Sequence, residues 1–326
     1  LRQPPSLLLA LFIPRGWTGS MWLPLVVWIA LTSRIRAQED QNSYSQEKAE
    51  QIWSLAYWAS ASNANVCVPR EFPNYQVLDI INTNDGASVY GVAQATISVS
   101  VSEKQIHVHF RGPDSMSTFI TNGYKTLFTR DFATTTWNDG LVVGEDFVKT
   151  YKALWSSGLR QALNQCWGEY CDFKILITGH SIGSCLAQML AVRLKRLGYW
   201  DSNSIAMYSF SAPRCGHQNF ASAVEDATYE HFNIRYNDYV PAAPARASSC
   251  PETSTISKGA PQNCYWHCCN GVQYTKSLLA NTSTGPPTLC ATGEDSKCLS
   301  GATAIDIPNH VGFFGLQYSG LSPLEC

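Results

Sequence analysis

The pentapeptide Gly179-His180-Ser181-Ile182-Gly183 stands where an apolar run, Phe173-Lys-Ile-Leu-Ile-Thr178, gives way to helical periodicity from 182 to 197. A short continuous apolar run reads as a buried strand. The serine therefore falls on a sharp strand-to-helix turn, which strains the backbone at its apex and admits only small neighbours, hence glycine two positions before and two after. The turn exposes the hydroxyl at the sheet edge. It also aims the amide of Ile182, at a helix N-terminus, toward any negative charge that develops there. By composition alone the pattern recurs in roughly one chain in ten of this length; its position between strand and helix is what makes it informative.

The neighbouring segments supply a sheet for this turn. Ile52, Leu55, Ala56 and Ala59 recur at helical spacing behind Ser43-x-x-Gln46, a capping-box pattern, predicting a helix over about 45–62. Residues 77–81, 88–101 and 105–110 read as strands, the last two joined as a hairpin. A helix follows over 145–166, with Phe147, Val148, Tyr151, Leu154 and Trp155 as its apolar stripe. Beyond the 173–178 strand and the 182–197 helix come a strand at 205–210, a helix at 217–226 and a strand at 231–236. Such alternation requires crossover connections. The fold class is α/β: a mostly parallel central sheet with antiparallel N-terminal strands. After Pro241 the pattern dissolves into a Cys-rich insertion at about 245–300, where only 272–279 suggests an ordered element.

Charge and cysteine content narrow the setting. Lys and Arg total 23 against 25 Asp and Glu, so the basic footprint of a nucleic-acid binder is missing. Twelve cysteines spread without a repeated zinc-type spacing imply an oxidising compartment. The amino terminus agrees: Met21 opens the apolar stretch 22–31, and Ile35-Arg36-Ala37 offers a cleavage site before the polar run from Gln38. Residues 1–37 are read as upstream sequence plus a signal peptide, and 38–326 as a single domain. Pro14, Arg15 and Gly16 divide the apolar residues, and neither half approaches the ~20 needed to span a bilayer.

A serine hydroxyl becomes a useful nucleophile when a histidine takes its proton and a carboxylate orients that histidine. Asp238 comes directly after the 231–236 strand, and His310, in Pro308-Asn-His-Val-Gly-Phe-Phe-Gly315, is the last histidine in the chain. The order Ser, Asp, His is that of the α/β-hydrolases. Taken singly, Asp238 reads as a turn carboxylate and His310 as a surface imidazole; with the elbow they become a triad, Ser181, Asp238 and His310.

Five motifs in order then resemble one family. They are Phe110-Arg-Gly112, Thr178-Gly-His-Ser-Ile-Gly-Ser-Cys-Leu-Ala187, Phe210-Ser-Ala-Pro-Arg-Cys-Gly216, Asn237-Asp-Tyr-Val-Pro241 and His310-Val-Gly-Phe-Phe-Gly315. The chain resembles the class 3 lipases over about residues 45–320, a family typified by secreted fungal triacylglycerol lipases. The resemblance implies an α/β-hydrolase fold with a lid helix, and cleavage of acylglycerol esters through an acyl-enzyme. It implies Ser181 as nucleophile, His310 as general acid and base, and Asp238 as its orienting partner. No cofactor or metal is called for. The expected partner is a lipid ester at a lipid–water interface, met by a secreted monomer; a phospholipase, an esterase of soluble esters and a catalytically weak lipid-binding homologue are the alternatives.

Departures from the family pattern matter as well. Where the family usually has Ser or Thr after Phe-Arg-Gly, this chain has Pro113, which lacks an N–H. Pro113 thus marks the oxyanion region without supplying the usual donor, and Ile182 is the other expected donor. Ser184 replaces the family's second glycine. Met116, Phe119 and Ile120, at i, i+3 and i+4, form the apolar face of the implied lid; on spacing alone they read equally as a surface helix packed on the core.

The resemblance pairs Cys67 with Cys326. Cys166 with Cys171, and Cys290 with Cys298, are local candidates by proximity, and Cys250, Cys264, Cys268 and Cys269 have two bridges to share. Cys185 and Cys215 read as buried thiols. His107-x-His109 and His267-Cys268-Cys269 have metal-ligand chemistry, but an oxidising setting disfavours it. Asn281-Thr-Ser283 is a glycosylation sequon.

Overall fold

The computed structural model describes residues 44–84, 91–113, 133–236, 238–245, 250, 264–274, 286–299, 307–317 and 326. The expected export segment, the apolar face at Met116, Phe119 and Ile120, and Asn281 lie outside them. Ser45 caps α1 (Gln46–Ala59), its hydroxyl accepting from Lys48 N at 3.2 Å, so the capping residue is Ser45 rather than Ser43. A second helix, α2 (Ala64–Glu71), leads into an antiparallel meander of β1 (Gln76–Asn82), β2 (Gln94–Ser100) and β3 (Gln105–Phe110). A hairpin of β4 (Thr134–Trp137) and β5 (Leu141–Gly144) precedes α3 (Glu145–Leu154).

The helix expected over 145–166 is interrupted. A π-helical turn spans Trp155–Leu159 before α4 (Arg160–Tyr170), and Gly158 takes φ 134°. Ser156, Ser157 and Gly158 are weak helix formers, and only the glycine accepts that backbone cheaply.

From there strands and helices alternate. β6 (Lys174–His180), α5 (Ile182–Leu197), β7 (Ile205–Phe210), β8 (Gly216–His217), α6 (Gln218–Ala227) and β9 (Glu230–Arg235) follow in order. β10 (Tyr265–Trp266), β11 (Asn270–Gln273), β12 (Thr288–Cys290), α7 (Ser296–Leu299), α8 (Ile307–Val311), β13 (Gly312–Phe313) and β14 (Leu316–Gln317) complete the described elements. The main sheet has the order β1-β2-β3-β6-β7-β9-β11-β12. Pairing is antiparallel at both edges and parallel from β3 to β11. This is the α/β-hydrolase arrangement.

Alternation along the parallel strands builds two apolar layers. Ile175, Ile177, Ile205 and Met207 face the side covered by α5, with Leu186, Met189 and Leu190 among its contributions. Leu176, Tyr208, Phe210, Phe232 and Ile234 face the other side, where Trp53 of α1 and Phe313 complete the layer. The sheet is therefore buried on both faces, and the C-terminal ends of its parallel strands form the rim where ligand sites of such folds are built.

Disulfides brace this frame, and two sequence expectations need correcting. Cys185 and Cys215 are not thiols but a disulfide with Cα atoms 5.3 Å apart, because the return from β7 lays Cys215 over the first turns of α5. Cys166 and Cys171 are both free, the first buried and the second exposed. Five residues apart at a helix end, their side chains diverge by about 140° around the axis and cannot meet. Cys67 joins Cys326, Cys290 joins Cys298, Cys250 joins Cys264, and Cys268 joins its neighbour Cys269.

Candidate active site

The turn after β6 carries the nucleophile candidate. Ser181 has φ 53° and ψ −127°, a conformation that costs a non-glycine residue of order 1–3 kcal/mol. The fold imposes it, since Ser181 N donates to Phe210 O at 2.8 Å and Ser184 N to Ser181 O at 3.0 Å. Both flanking glycines are required by close approach. A Cβ at Gly179 would come within 2.5 Å of Gly183 O, and one at Gly183 would collide with Phe110 O. Ser184 fits where the family pattern has glycine because its hydroxyl donates to Gly179 O at 2.7 Å.

Two distant segments meet this serine. Asp238 lies just beyond β9 and His310 in α8, 72 residues apart, yet His310 Nδ1 is 2.6 Å from Asp238 Oδ2. On the other side of the ring, Nε2 is 2.9 Å from Ser181 Oγ. The second carboxylate oxygen of Asp238 accepts from Val240 N at 3.2 Å, which fixes the carboxylate plane. Ser181, His310 and Asp238 are 0, 1 and 4% exposed, so these contacts form in a site from which water is largely excluded. Such an arrangement suits a proton passing from Oγ to Nε2, with the carboxylate holding Nδ1–H.

Residues that the sequence reading left without a role support this trio. His180 Nε2 donates to the backbone carbonyl of His310 at 2.8 Å. Burial, helped by the nearby His310 ring, lowers the His180 pKa to about 3, so this imidazole is neutral. Its signal was the variable position inside the pentapeptide. The segment after Asp238 is clamped by Arg214, whose amide donates to Ala243 O at 2.7 Å and whose guanidinium donates to the carbonyls of Ala242 and Pro244. His267 adds a bond from Nε2 to Pro241 O at 2.5 Å. Arg214 belonged to a quoted motif; His267 lay in the region without readable pattern.

The two residues expected to serve an oxyanion differ. Pro113, half-buried at the end of the Phe110-Arg-Gly112 segment, offers no N–H, whereas Ile182 opens α5 directly behind the nucleophile. His107 Nε2 and His109 Nδ1 both engage Thr178 Oγ1, at 2.7 and 2.8 Å, and His109 Nε2 lies 2.7 Å from Ser60 Oγ. That pair is thus a buried hydrogen-bond network. No group of three or more potential metal-ligating side chains occurs among the described residues.

Comparison with known proteins follows the same lines. A family described as Lipase (class 3) matches residues 107–248, a stretch that includes Ser181 and Asp238, with His310 beyond it. A lipase of Caenorhabditis elegans is 25% identical over 300 residues, covering 87% of this chain and 83% of its own length. Secreted mono- and diacylglycerol lipase 1 of Fusarium solani is 23% identical over 72% of this chain and 62% of its own. Among solved structures, lipase II from Rhizopus niveus is similar with a TM-score of 0.66 at 16% identity, over 85% of this chain and 98% of that one. Its sheet order, its elbow and the order of its motifs are all consistent with that match, and over residues 107–248 the chain is similar to the class 3 lipases.

Proposed function

We propose that the chain hydrolyses carboxylic esters of acylglycerols through an acyl-enzyme, with Ser181 as nucleophile, His310 as general base and acid, and Asp238 as the orienting carboxylate. The observation that carries this reading is the unbroken chain of contacts from Ser181 Oγ through the His310 ring to Asp238 on a strained elbow. Ser181 Oγ attacks the ester carbonyl as Nε2 takes its proton, and the tetrahedral oxyanion receives the Ile182 N–H. His310 then protonates the departing glyceride oxygen. Water, deprotonated by the same nitrogen, attacks the acyl-enzyme and releases the fatty acid, restoring the serine proton.

The acylglycerol class is supported by the family match and by the named activity of the Fusarium solani relative. Secretion is supported by the five disulfides and by that same relative, and the amino-terminal segment from Met21 is the proposed export signal. The reading extends to a monomeric domain over 38–326 acting at a lipid–water interface, with Met116, Phe119 and Ile120 on its lid. Pro113 favours one second reading, a catalytically weak homologue that binds lipid.

A fluorophosphonate probe separates the two. The wild-type chain labels and Ser181→Ala does not; an inert wild type, or equal labelling of both, overturns hydrolysis. Emulsified triglyceride, diglyceride, phospholipid and a short soluble ester, assayed side by side, then establish the substrate. Acylglycerol turnover that rises sharply once an emulsion forms is the expected result, and faster turnover of phospholipid or of the soluble ester would replace the acylglycerol assignment.

A further inference from the structure

The proposed base is held at three points, and one of them lies on its main chain. Asp238 grips the ring at Nδ1 and Ser181 meets it at Nε2, but the carbonyl of His310 is taken by His180, the residue bonded to the nucleophile. Two hydrogen bonds and the His180–Ser181 peptide therefore close a ring between nucleophile and base. We infer that His180 is a positioning residue for the reaction, its Nε2–H tethering the His310 backbone so that the imidazole stays in register with Ser181 Oγ. The inference rests on the triad reading above.

The two tethers restrain different freedoms. A bond at Nδ1 limits rotation of the His310 ring, while a bond at the carbonyl limits translation of the whole residue, which sits in a five-residue helix rather than in the sheet. A carbonyl has no proton to give, so His180 must carry hydrogen on Nε2, and its burial keeps the ring in that neutral form. The His180 ring is itself fixed. Trp53 meets it edge-on at 5.7 Å between centroids, and Trp53 Nε1 donates to Leu316 O at 3.2 Å. On the other side a Cβ at Gly112 would come within 2.8 Å of His180 Nδ1, so the oxyanion segment packs directly against the ring. His180 thus touches the segments carrying base, nucleophile and oxyanion region together. Displacement of a reacting group by about 1 Å costs on the order of 10²-fold in rate.

Two near-isosteric replacements separate tethering from packing. His180→Gln places an amide N–H close to the position of Nε2, whereas His180→Leu fills similar space without a donor. With p-nitrophenyl butyrate as substrate, His180→Leu is expected to lower kcat by roughly 10²-fold with KM within about twofold, and His180→Gln to restore most of the loss. Equal kcat in the two variants, or a loss confined to KM, overturns the inference. Should His180→Leu not fold, His180→Asn replaces it: its shorter amide falls short of the carbonyl, and kcat equal to that of His180→Gln overturns the tether. Labelling by fluorophosphonate keeps the two readings apart. An inert wild type defeats the triad itself, while a wild type that labels beside a His180→Leu variant labelling equally fast defeats only the role of His180.

Discussion

Arg214 and Glu294, 80 residues apart, form a two-pronged ion pair in which Nε meets Oε1 at 2.8 Å and Nη2 meets Oε2 at 2.9 Å. Both side chains are less than a tenth exposed. Glu294 also accepts from the His267 backbone N at 2.7 Å, so one carboxylate joins the two residues that bind the segment following Asp238.

Removing one partner leaves the other charge buried and unpaired. Glu294→Ala is therefore expected to destabilise the fold by about 3–5 kcal/mol, measured by urea denaturation. Burial opposes ionisation of Glu294, but the hydrogen bonds and charge of Arg214 prevail and hold its pKa down at about 2. The carboxylate of the unfolded chain titrates near 4.5, so the pair's contribution is complete above that pH and disappears as pH falls toward 2. A loss under 1 kcal/mol would show that this pair is no clamp.

Four buried histidines make a second pH window. Burial lowers His107 and His180 to about 3 and keeps His109 and His267 well below 6.5. The unfolded chain takes up these protons near pH 6.5 and the native chain does not, so stability is fully present above 6.5 and falls as pH drops toward 3. Each histidine steepens that fall by up to about 1.4 kcal/mol per pH unit. Urea midpoints at pH 7.5 and 5 should differ clearly, and His107→Gln should reduce the difference. A flat profile across that interval contradicts neutral burial.

Pro113 sets a prediction about rate alone. Pro113→Thr gives the oxyanion region a backbone donor and a hydroxyl, each of a kind whose removal elsewhere costs ~10²–10³ in kcat. A rise in kcat of about tenfold or more on a soluble ester, with little change in KM, is expected. No rise would mean that another group already occupies the donor's place.

The Cys185–Cys215 bridge closes a 30-residue span between α5 and the return from β7. Loop-entropy arithmetic for that length gives about 3–4 kcal/mol. The double variant Cys185→Ala with Cys215→Ala should unfold at correspondingly lower urea, and an unchanged midpoint would place the bridge outside the stabilising frame.

Legibility of the sequence followed local strength of pattern. β6 and α5 are readable because Ile175, Leu176 and Ile177 form a continuous apolar run and a glycine-bounded turn separates them from a long helical period. Asp238 and His310 could be ordered along the chain, though their convergence is a property of topology. Short strands such as β8 and β10, two residues each, have too little alternation to register. Cys185 hides within an apolar helix, where a bridged cysteine and a buried thiol leave the same trace. The break at Gly158 was masked by an apolar stripe that runs up to Trp155. The donor role of His180 depends on where a carbonyl 130 residues away comes to rest, which no local pattern encodes.

The backbone of Ser181 also bears on the choice between an active hydrolase and a retired one. With φ at 53°, position 181 is a place where glycine is the more comfortable residue, since it adopts that region without the steric penalty of a Cβ. Drift in a lineage released from chemistry would meet little resistance to relaxing this corner, and stability alone would reward it. A hydroxyl on so strained a corner suits a nucleophile better than a surface that only binds lipid.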